Sequence, residues 1–206
     1  MEQPSAESLS PRQAGRELAS SIRDQALTLF GWLGVMWAME VADFLLPFWR
    51  ADQLGIVPRT LTGLLGIPLA PFLHAGFGHL TANSLPFLAL GGIVMLGGRA
   101  VFWAVTTFVT LVGGFGVWLL TPGHTVHIGA SGLIFGYLGF LLSRGLFEKS
   151  FGWVLVAGAL LLAYGGMISG VLPGTPGISW QGHLFGFLAG VLAAWGMFTK
   201  GEKRPI

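Results

Sequence analysis

The stretch His127-Ile-Gly-Ala-Ser131-Gly132 opens an apolar run, residues 130–147, whose length and composition predict a membrane-spanning helix. Polar side chains at membrane depth are costly to keep, so Ser131 is a functional candidate by its position alone. His79 and His183 stand in the same way at the start of two other apolar runs. A serine and two histidines in such places indicate a nucleophile and its base, built inside a membrane.

The overall composition is that of a membrane protein. Of 206 residues, 53% are hydrophobic and 10% are charged, whereas soluble domains carry roughly 25% charged residues. The 33 glycines suit helices that approach closely, because packing drives helix association in lipid. The chain has no cysteine, which excludes disulfides, thiol catalysis and cysteine-ligated metals. Its formal charge of +2 comes from a few basic loop residues, so no nucleic-acid partner is predicted.

Six apolar segments, each near the ~20 residues that a bilayer requires, predict an all-α bundle of six transmembrane helices. The predicted organisation is a polar cytoplasmic N-terminal segment at 1–26, a membrane domain at 27–199 and a basic cytoplasmic tail at 200–206. Within the first segment, residues 16–25 can form a short surface helix. The first apolar run is too long for a signal peptide and is expected to remain as a helix. We place the six spans at about 27–48, 80–98, 100–120, 130–147, 151–171 and 181–199.

The segment between the first two spans, about 49–78, differs from a flexible linker. It is long and rich in proline and glycine, yet it is rather apolar, whereas soluble linkers are more polar. A loop that packs on the membrane interface or partly enters it explains this composition. Glu40 and Asp43, in the outer half of the first span, are expected to anchor this first loop.

Basic residues predict the orientation of the bundle. With the N-terminus inside, every Lys and Arg except Arg50 and Arg59 falls on the cytoplasmic side. Both termini are therefore predicted to be cytoplasmic. Even-numbered spans then begin at the outer side, which places His79, Ser131 and His183 at similar depth, a few residues below the outer surface.

The neighbours of Ser131 suit a nucleophile. Gly129 and Gly132 leave its hydroxyl free of side chains, and the free N–H groups of a helix's first turn can receive an oxyanion. Close approach of the fourth and sixth spans would bring His183 within reach as a base. Small residues also pack helices without any catalysis, and buried histidines also bond neighbouring helices. Both spans carry a stripe of small residues at helical spacing: Gly132, Gly136, Gly139 and Ser143 in one, Gly182, Gly186 and Gly190 in the other.

The pair His79-x-x-x-Asn83 places an imidazole and a carboxamide on one face of the second span. Both groups can donate hydrogen bonds to a developing oxyanion. The same pair can also serve as a polar contact between helices. No acidic residue is an obvious third member of a triad, so a serine–histidine dyad is the economical mechanism.

A metal centre is the main alternative chemistry. All five histidines fall on the predicted outer side, and His124-x-x-His127 can supply half of a site. The sequence has no H-E-x-x-H motif, and no carboxylate accompanies the histidines at ligand spacing. We therefore predict no metal and no other cofactor.

Three motifs together resemble the rhomboid family of intramembrane serine proteases. They lie in order at the starts of the second, fourth and sixth predicted spans, and the resemblance covers about residues 30–198. Each motif is weak alone, but the three in register are specific. The resemblance implies a six-helix rhomboid-like bundle with both termini cytoplasmic. The motifs are His79-x-x-x-Asn83, Gly129-x-Ser131-Gly132 and Gly182-His183-x-x-Gly186-x-x-x-Gly190.

By that resemblance, Ser131 is the nucleophile and His183 is the general base. His79, Asn83 and the backbone N–H of Ser131 would form the oxyanion hole. The supporting glycines of the motifs are Gly129, Gly132, Gly186 and Gly190.

The resemblance extends to the first loop, with one departure. The loop at 49–78 is similar to the family's membrane-dipping first loop, and His74 resembles a histidine found there ahead of the second span. The family often carries a Trp-Arg pair about nine residues before that histidine, where this chain has Leu65-Gly66. A second departure lies outside the loop: Phe135 occupies a position where an aromatic such as tyrosine can stack on the catalytic histidine, and phenylalanine keeps the stacking but loses the hydroxyl.

The implied activity is cleavage of single-span membrane proteins near the outer membrane face, after a small residue and close to helix-breaking residues. Membrane lipid surrounds the enzyme, and a bacterial plasma membrane fits a short chain with no organelle presequence. A catalytically inactive rhomboid-like protein that binds membrane clients is the alternative, and it would be expected to have lost Ser131 or His183. A small transporter or channel would be expected to carry polar residues through the bilayer midplane.

Overall fold

The computed structural model describes residues 10–46, 48–123, 125–174 and 177–199. In these segments the chain is helical, as predicted, and contains no β-sheet. Short 3-10 helices cover Ala51–Leu54, Ala70–Phe72 and Gly165–Val171, and a π-helical turn at Val109–Gly113 joins α4 to α5. The α-helices are α1 Pro11–Leu45, α2 Leu61–Leu69, α3 Phe77–Met95, α4 Arg99–Phe108, α5 Gly114–Leu120, α6 Ser131–Glu148, α7 Phe151–Tyr164 and α8 Trp180–Thr199.

Five stretches of the described chain are long and apolar enough to cross a membrane. They match five of the predicted spans, with ends that differ by a few residues except at the start of the first. The remaining predicted span corresponds to α6, which carries Arg144 and Glu148 near its end. The five stretches are Pro11–Leu45, Phe77–Met95, Arg99–Leu120, Phe151–Val171 and Trp180–Thr199.

The first helix is longer than the sequence prediction. A separate surface helix at 16–25 is wrong, because one helix runs unbroken from Pro11 to Leu45. A capping box begins it: Ser10 Oγ accepts from the Gln13 N–H, while Gln13 Oε1 accepts from the Ser10 N–H. Its 35 residues are about 52 Å long, which exceeds the ~30 Å hydrocarbon core of a bilayer. The polar first part of α1 therefore has length to extend beyond the membrane.

The centre of the bundle is α6. Every residue from Leu133 to Leu141 is buried, and the helix packs on α8, α7 and α3. A Cβ added to Gly186 would clash with the Gly132 carbonyl, and one added to Gly190 would clash with the Gly136 carbonyl. The predicted close approach of the two glycine stripes is therefore confirmed.

Glycines hold the first loop together by backbone contact. Gly66 lies against the backbone of Gly55, and Gly63 lies against the backbone of Val57, so closely that a Cβ on either helical glycine would clash. The Gly66 position therefore has no room for the arginine that the family often carries there. In this chain, backbone packing stands where a Trp-Arg pair would otherwise be expected.

Further hydrogen bonds tie the first loop to the rest of the bundle. Asp43 Oδ1 accepts from the Ala51 N–H at 2.6 Å, so the predicted anchoring role of Asp43 is confirmed. Ile56 and His127 exchange backbone hydrogen bonds of 3.0 and 2.9 Å. The Ala70 carbonyl accepts from the Gly129 N–H at 2.9 Å. The loop is thereby fixed directly to the residues that precede Ser131.

Candidate active site

Ser131 is the first residue of α6 and follows a short segment, residues 125–130, which we name the serine loop. Gly129 in this loop has a φ of +112°, a conformation that is open to glycine and costly for other residues. The Ser131 N–H belongs to the first turn of α6, where no earlier helix carbonyl is available to it. The helix therefore begins with a partly exposed hydroxyl and an available N–H at the same residue.

His183, the fourth residue of α8, is buried and held by two contacts. Its Nδ1 lies 2.9 Å from the Gly170 carbonyl oxygen. Because a carbonyl only accepts, Nδ1 carries the hydrogen and Nε2 of the neutral ring keeps its lone pair. Phe135 stacks on the imidazole, with centroids 4.1 Å apart and planes 8° apart. Since Phe135 lies one turn after Ser131, this stack holds the His183 ring against the helix that begins with the serine.

His79 reaches the serine loop from α3. A Cβ added to Gly129 would lie 3.0 Å from His79 Nε2 and 3.7 Å from Ser131 Oγ, so the imidazole and the hydroxyl flank the same glycine. The Ala75 N–H donates to His79 Nδ1 over 3.4 Å. In the neutral ring, the hydrogen is then on Nε2. His79 offers a donor at Nε2, whereas His183 offers an acceptor at Nε2.

Asn83 lies buried one turn after His79 on the same face of α3. Its side-chain amide donates to the His79 carbonyl at 2.8 Å. A carboxamide has two N–H groups, so one remains for another acceptor. The structure thus gathers Asn83 and His79 on the helix that faces the serine loop.

His74 supports the serine loop from the first loop. Its Nε2 accepts from the Ala130 N–H at 3.3 Å, and its ring meets His79 edge-on at 5.1 Å between centroids. Burial lowers the pKa of His74 to about 4, and the neighbouring His79 adds to the effect. The neutral ring can therefore keep accepting from Ala130 near pH 7.

A narrow, partly open cleft lies beside Ser131. Its walls come from the first loop, the π-helical turn and the starts of α6 and α8. Glycines and aliphatic side chains make up most of the lining, including Gly113, Gly114, Ile67 and Val117. An apolar group of modest size is therefore the kind of ligand that this cleft suits.

We also examined whether the described residues could bind a metal ion. Within those segments, no group of three or more His, Cys, Asp or Glu side chains is placed to hold an ion. His124 lies outside the described residues. His127 is buried, and both its ring nitrogens face hydroxyls: Nδ1 lies 2.6 Å from Ser179 Oγ, and Nε2 lies 3.1 Å from Thr125 Oγ1.

Two contacts around the site were not expected from the sequence. One is the Gly170 carbonyl that orients His183, which no motif marks. The other is the pairing of His127 with Ser179, although a serine directly before an apolar run is itself a helix-capping signal. Ser179 Oγ indeed accepts from the Gly182 N–H at 3.1 Å.

Comparisons with known proteins place the chain in a family. A model of the Rhomboid domain matches residues 61–200, from α2 to the end of α8. An uncharacterized protein of Mycobacterium tuberculosis is 43% identical over 186 residues, which are 86% of this chain and 76% of that protein. An uncharacterized protein of Mycobacterium leprae is 41% identical over 186 residues, with 86% and 73% covered. The protein named "Putative rhomboid protease YdcA" of Bacillus subtilis is 33% identical over 138 residues, which cover 64% of this chain and 66% of its own.

Proposed function

This chain belongs to the rhomboid family, and from that membership we propose that it is an intramembrane serine endopeptidase. The observation that carries the proposal is the orientation of His183. Its Nδ1 is committed to the Gly170 carbonyl, and its ring is stacked on Phe135 from the serine's own helix. A neutral imidazole held in this way keeps Nε2 as a base beside the start of α6.

In the proposed mechanism, His183 Nε2 takes the Ser131 proton as the hydroxyl oxygen attacks a peptide carbonyl. The tetrahedral intermediate collapses, His183 gives its proton to the leaving amine, and an ester to Ser131 remains. Water then attacks the ester, and the same histidine acts again as base and acid. In the described part of the chain, the His183 ring bonds to Gly170 and not to Ser131, so the attack requires a small approach of the two side chains once substrate is bound.

The oxyanion of the intermediate would be received by donors from two elements. The Ser131 N–H comes from the first turn of α6, and His79 supplies Nε2–H from α3. Asn83 would add the second N–H of its carboxamide. Donors fixed in place before the reaction stabilise developing charge without reorganisation, which is where most catalysis of this kind originates.

The proposed setting is a bacterial plasma membrane crossed by six spans. The five apolar stretches would be joined by α6, whose central position lets it keep a paired Arg144 and Glu148, 2.6 Å apart, at its end. Both termini would be cytoplasmic and the site would lie near the outer face. Substrates would be single-span membrane proteins that unwind locally, with a small residue before the cut that suits the cleft beside Ser131.

Labelling with a fluorescent fluorophosphonate tests the activated serine without a known substrate. Detergent-purified wild type is compared with Ser131→Ala and His183→Ala, each checked for folding by thermal unfolding. We expect labelling of the wild type and loss of labelling in both variants. A folded wild type that does not label would contradict the proposal and favour an inactive relative that binds membrane clients.

A further inference from the structure

His127 is a buried histidine that the proposed reaction does not use. It is 7% exposed, and its backbone pairs with Ile56 of the first loop. Both its ring nitrogens have hydroxyl partners, Thr125 Oγ1 on Nε2 and Ser179 Oγ on Nδ1. The bond to Ser179, at 2.6 Å, is the shorter of the two and crosses from the serine loop to the start of α8.

Ser179 caps α8. It directly precedes Trp180, the first residue of that helix, and its Oγ accepts from the Gly182 N–H at 3.1 Å. This is the bond that an N-cap serine makes to the third helical residue. The next residue is His183, so the cap determines how the chain enters the turn that holds the proposed base.

The partners of this network can satisfy a neutral His127 ring at both nitrogens. A serine hydroxyl has one hydrogen, and the Gly182 N–H occupies one lone pair of Ser179 Oγ. The hydroxyl hydrogen is then available to His127 Nδ1, whose lone pair accepts it when the ring is neutral. Burial lowers the pKa of His127, which favours the neutral ring. In that tautomer Nε2–H donates to Thr125 Oγ1. In the other neutral tautomer, Nδ1–H donates to the second lone pair of Ser179 Oγ and Nε2 accepts from the Thr125 hydroxyl.

His127 and Ser179 each lie one helical turn before a residue of the proposed dyad. Ser131 follows His127 by four residues, and His183 follows Ser179 by four residues. Along their lengths, α6 and α8 meet closely through glycine backbones. A short hydrogen bond at the ends of these helices adds a directional constraint that glycine packing lacks.

We infer that His127 is a positioning residue, which fixes the start of α8 to the serine loop and so sets the place of His183 relative to Ser131. This inference rests on the proposed protease function. His127 itself touches neither substrate nor the reacting atoms. Its effect passes through Ser179 and the first turn of α8.

Four variants separate this role from simple packing. His127→Asn keeps an acceptor near the Nδ1 position, whereas His127→Phe keeps the ring but has no acceptor. Ser179→Ala removes the other partner. Thr125→Val removes only the contact at Nε2 and is the matched control, because Thr125 is an exposed residue of the same loop.

The first readout is the rate of fluorophosphonate labelling, with the labelled residue identified by mass spectrometry. We expect His127→Phe and Ser179→Ala to slow labelling of Ser131 about tenfold, the scale of one lost buried hydrogen bond. Ser179→Ala also removes the cap on the Gly182 N–H, so the double variant should be no slower than Ser179→Ala alone. His127→Asn and Thr125→Val should label at close to the wild-type rate. The inference would be overturned if His127→Phe were labelled at the wild-type rate. It would also be overturned if the Ser131→Ala variant were still labelled, at Ser179.

The second readout does not depend on activity. Hydrogen exchange of residues 180–184 reports whether the first turn of α8 is still held. We expect faster exchange in His127→Phe and Ser179→Ala than in wild type, His127→Asn and Thr125→Val. Unchanged exchange in His127→Phe would overturn the positioning role. A wild type that never labels would overturn the protease proposal, while this measurement would still decide whether His127 holds the helix.

Discussion

At the residue scale, backbone neighbours give two histidines opposite chemistry. His79 Nδ1 accepts from the Ala75 N–H, which leaves a hydrogen on Nε2. His183 Nδ1 donates to the Gly170 carbonyl, which leaves a lone pair on Nε2. In the proposed reaction, one ring is therefore suited to donate to an oxyanion, and the other is suited to act as a base for a hydroxyl. The same side chain performs both roles because different backbone groups face it.

Gly129 is a backbone position that lies directly against the side chains of the candidate site. A Cβ there would lie 2.8 Å from His79 Cε1, and the φ of +112° is strained for any L side chain. We expect Gly129→Ala to displace His79 and to slow fluorophosphonate labelling about 100-fold, the scale of a lost oxyanion donor.

Gly123→Ala is the control for that experiment. Gly123 also has a positive φ, +88°, but nothing lies within 4 Å of its added Cβ. It carries the backbone strain without the clash against His79. Equal losses in the two alanine variants would attribute the effect to strain alone and contradict the role of His79.

The pKa of His74 predicts a specific pH dependence of stability. In the folded protein this pKa is lowered to about 4 from 6.5, so the unfolded chain binds more protons between these values. Relative to low pH, the uncharged His74 contributes up to about 3 kcal/mol to the free energy of unfolding. This contribution is fully present above pH 6.5 and is lost as the pH falls toward 4. His74→Gln keeps an acceptor for the Ala130 N–H and does not titrate. Thermal unfolding in detergent between pH 7.5 and 4.5 should therefore show a smaller decrease of Tm in His74→Gln than in wild type, and parallel curves would contradict the assignment.

At the element scale, the sequence predicted most helices because bilayer-length apolar runs are a strong signal. The start of the first helix was predicted wrongly, because residues 11–25 are polar and did not extend the apolar run. The local signal that the helix begins at Pro11 was the capping box of Ser10 and Gln13. The π-helical turn at Val109–Gly113 was not predicted, because a mostly apolar run shows no clear change of hydrophobic period. Three motifs predict the candidate site residues, whose catalytic roles stay predictions, whereas the partners Gly170 and Ser179 depend on contacts between distant segments.

The contact between α6 and α8 makes its own prediction. A Cβ on Gly190 would clash with the Gly136 carbonyl, and backbone on both sides cannot move aside cheaply. We expect Gly190→Ala to lower the free energy of unfolding by about 2 kcal/mol, the usual cost of overpacking. Gly196→Ala, on the same helix with nothing within 4 Å of its Cβ, should be neutral or slightly stabilising. The two variants are compared by their unfolding temperatures in the same detergent. Equal unfolding temperatures would contradict the contact between the glycine stripes of α6 and α8.

At the scale of the whole molecule, charge and chemistry divide between the two ends of the bundle. One end has Arg99 close to Asp24, with 3.6 Å between charged atoms, and Arg144 stacked 3.7 Å over the Trp153 ring. The other end has the serine loop, the starts of α3 and α8, and the first loop. Arg50 and Arg59 lie at the end with the candidate site, but most positive residues lie at the other end. By the positive-inside rule, we therefore expect the candidate site to face outward.

This division predicts the topology, which single cysteines can report because the chain has none of its own. Cysteines at Gly15 and Lys149 should resist a membrane-impermeant maleimide in intact bacterial cells, and cysteines at Gln53 and Pro122 should react; all four positions are exposed in the structure. Gly15 and Lys149 share a side only if the helices between them cross the membrane an even number of times. With Gln53 and Pro122 reactive, reaction at Lys149 but not at Gly15 would remove α6 as a span, and reaction at Gly15 but not at Lys149 would remove α1. Reaction at both with protection of Gln53 and Pro122 would invert the bundle. If Gly15 and Lys149 are protected while Gln53 and Pro122 react, Ser131 lies a few residues below the outer surface. Water for the second half of the proposed reaction can reach it there.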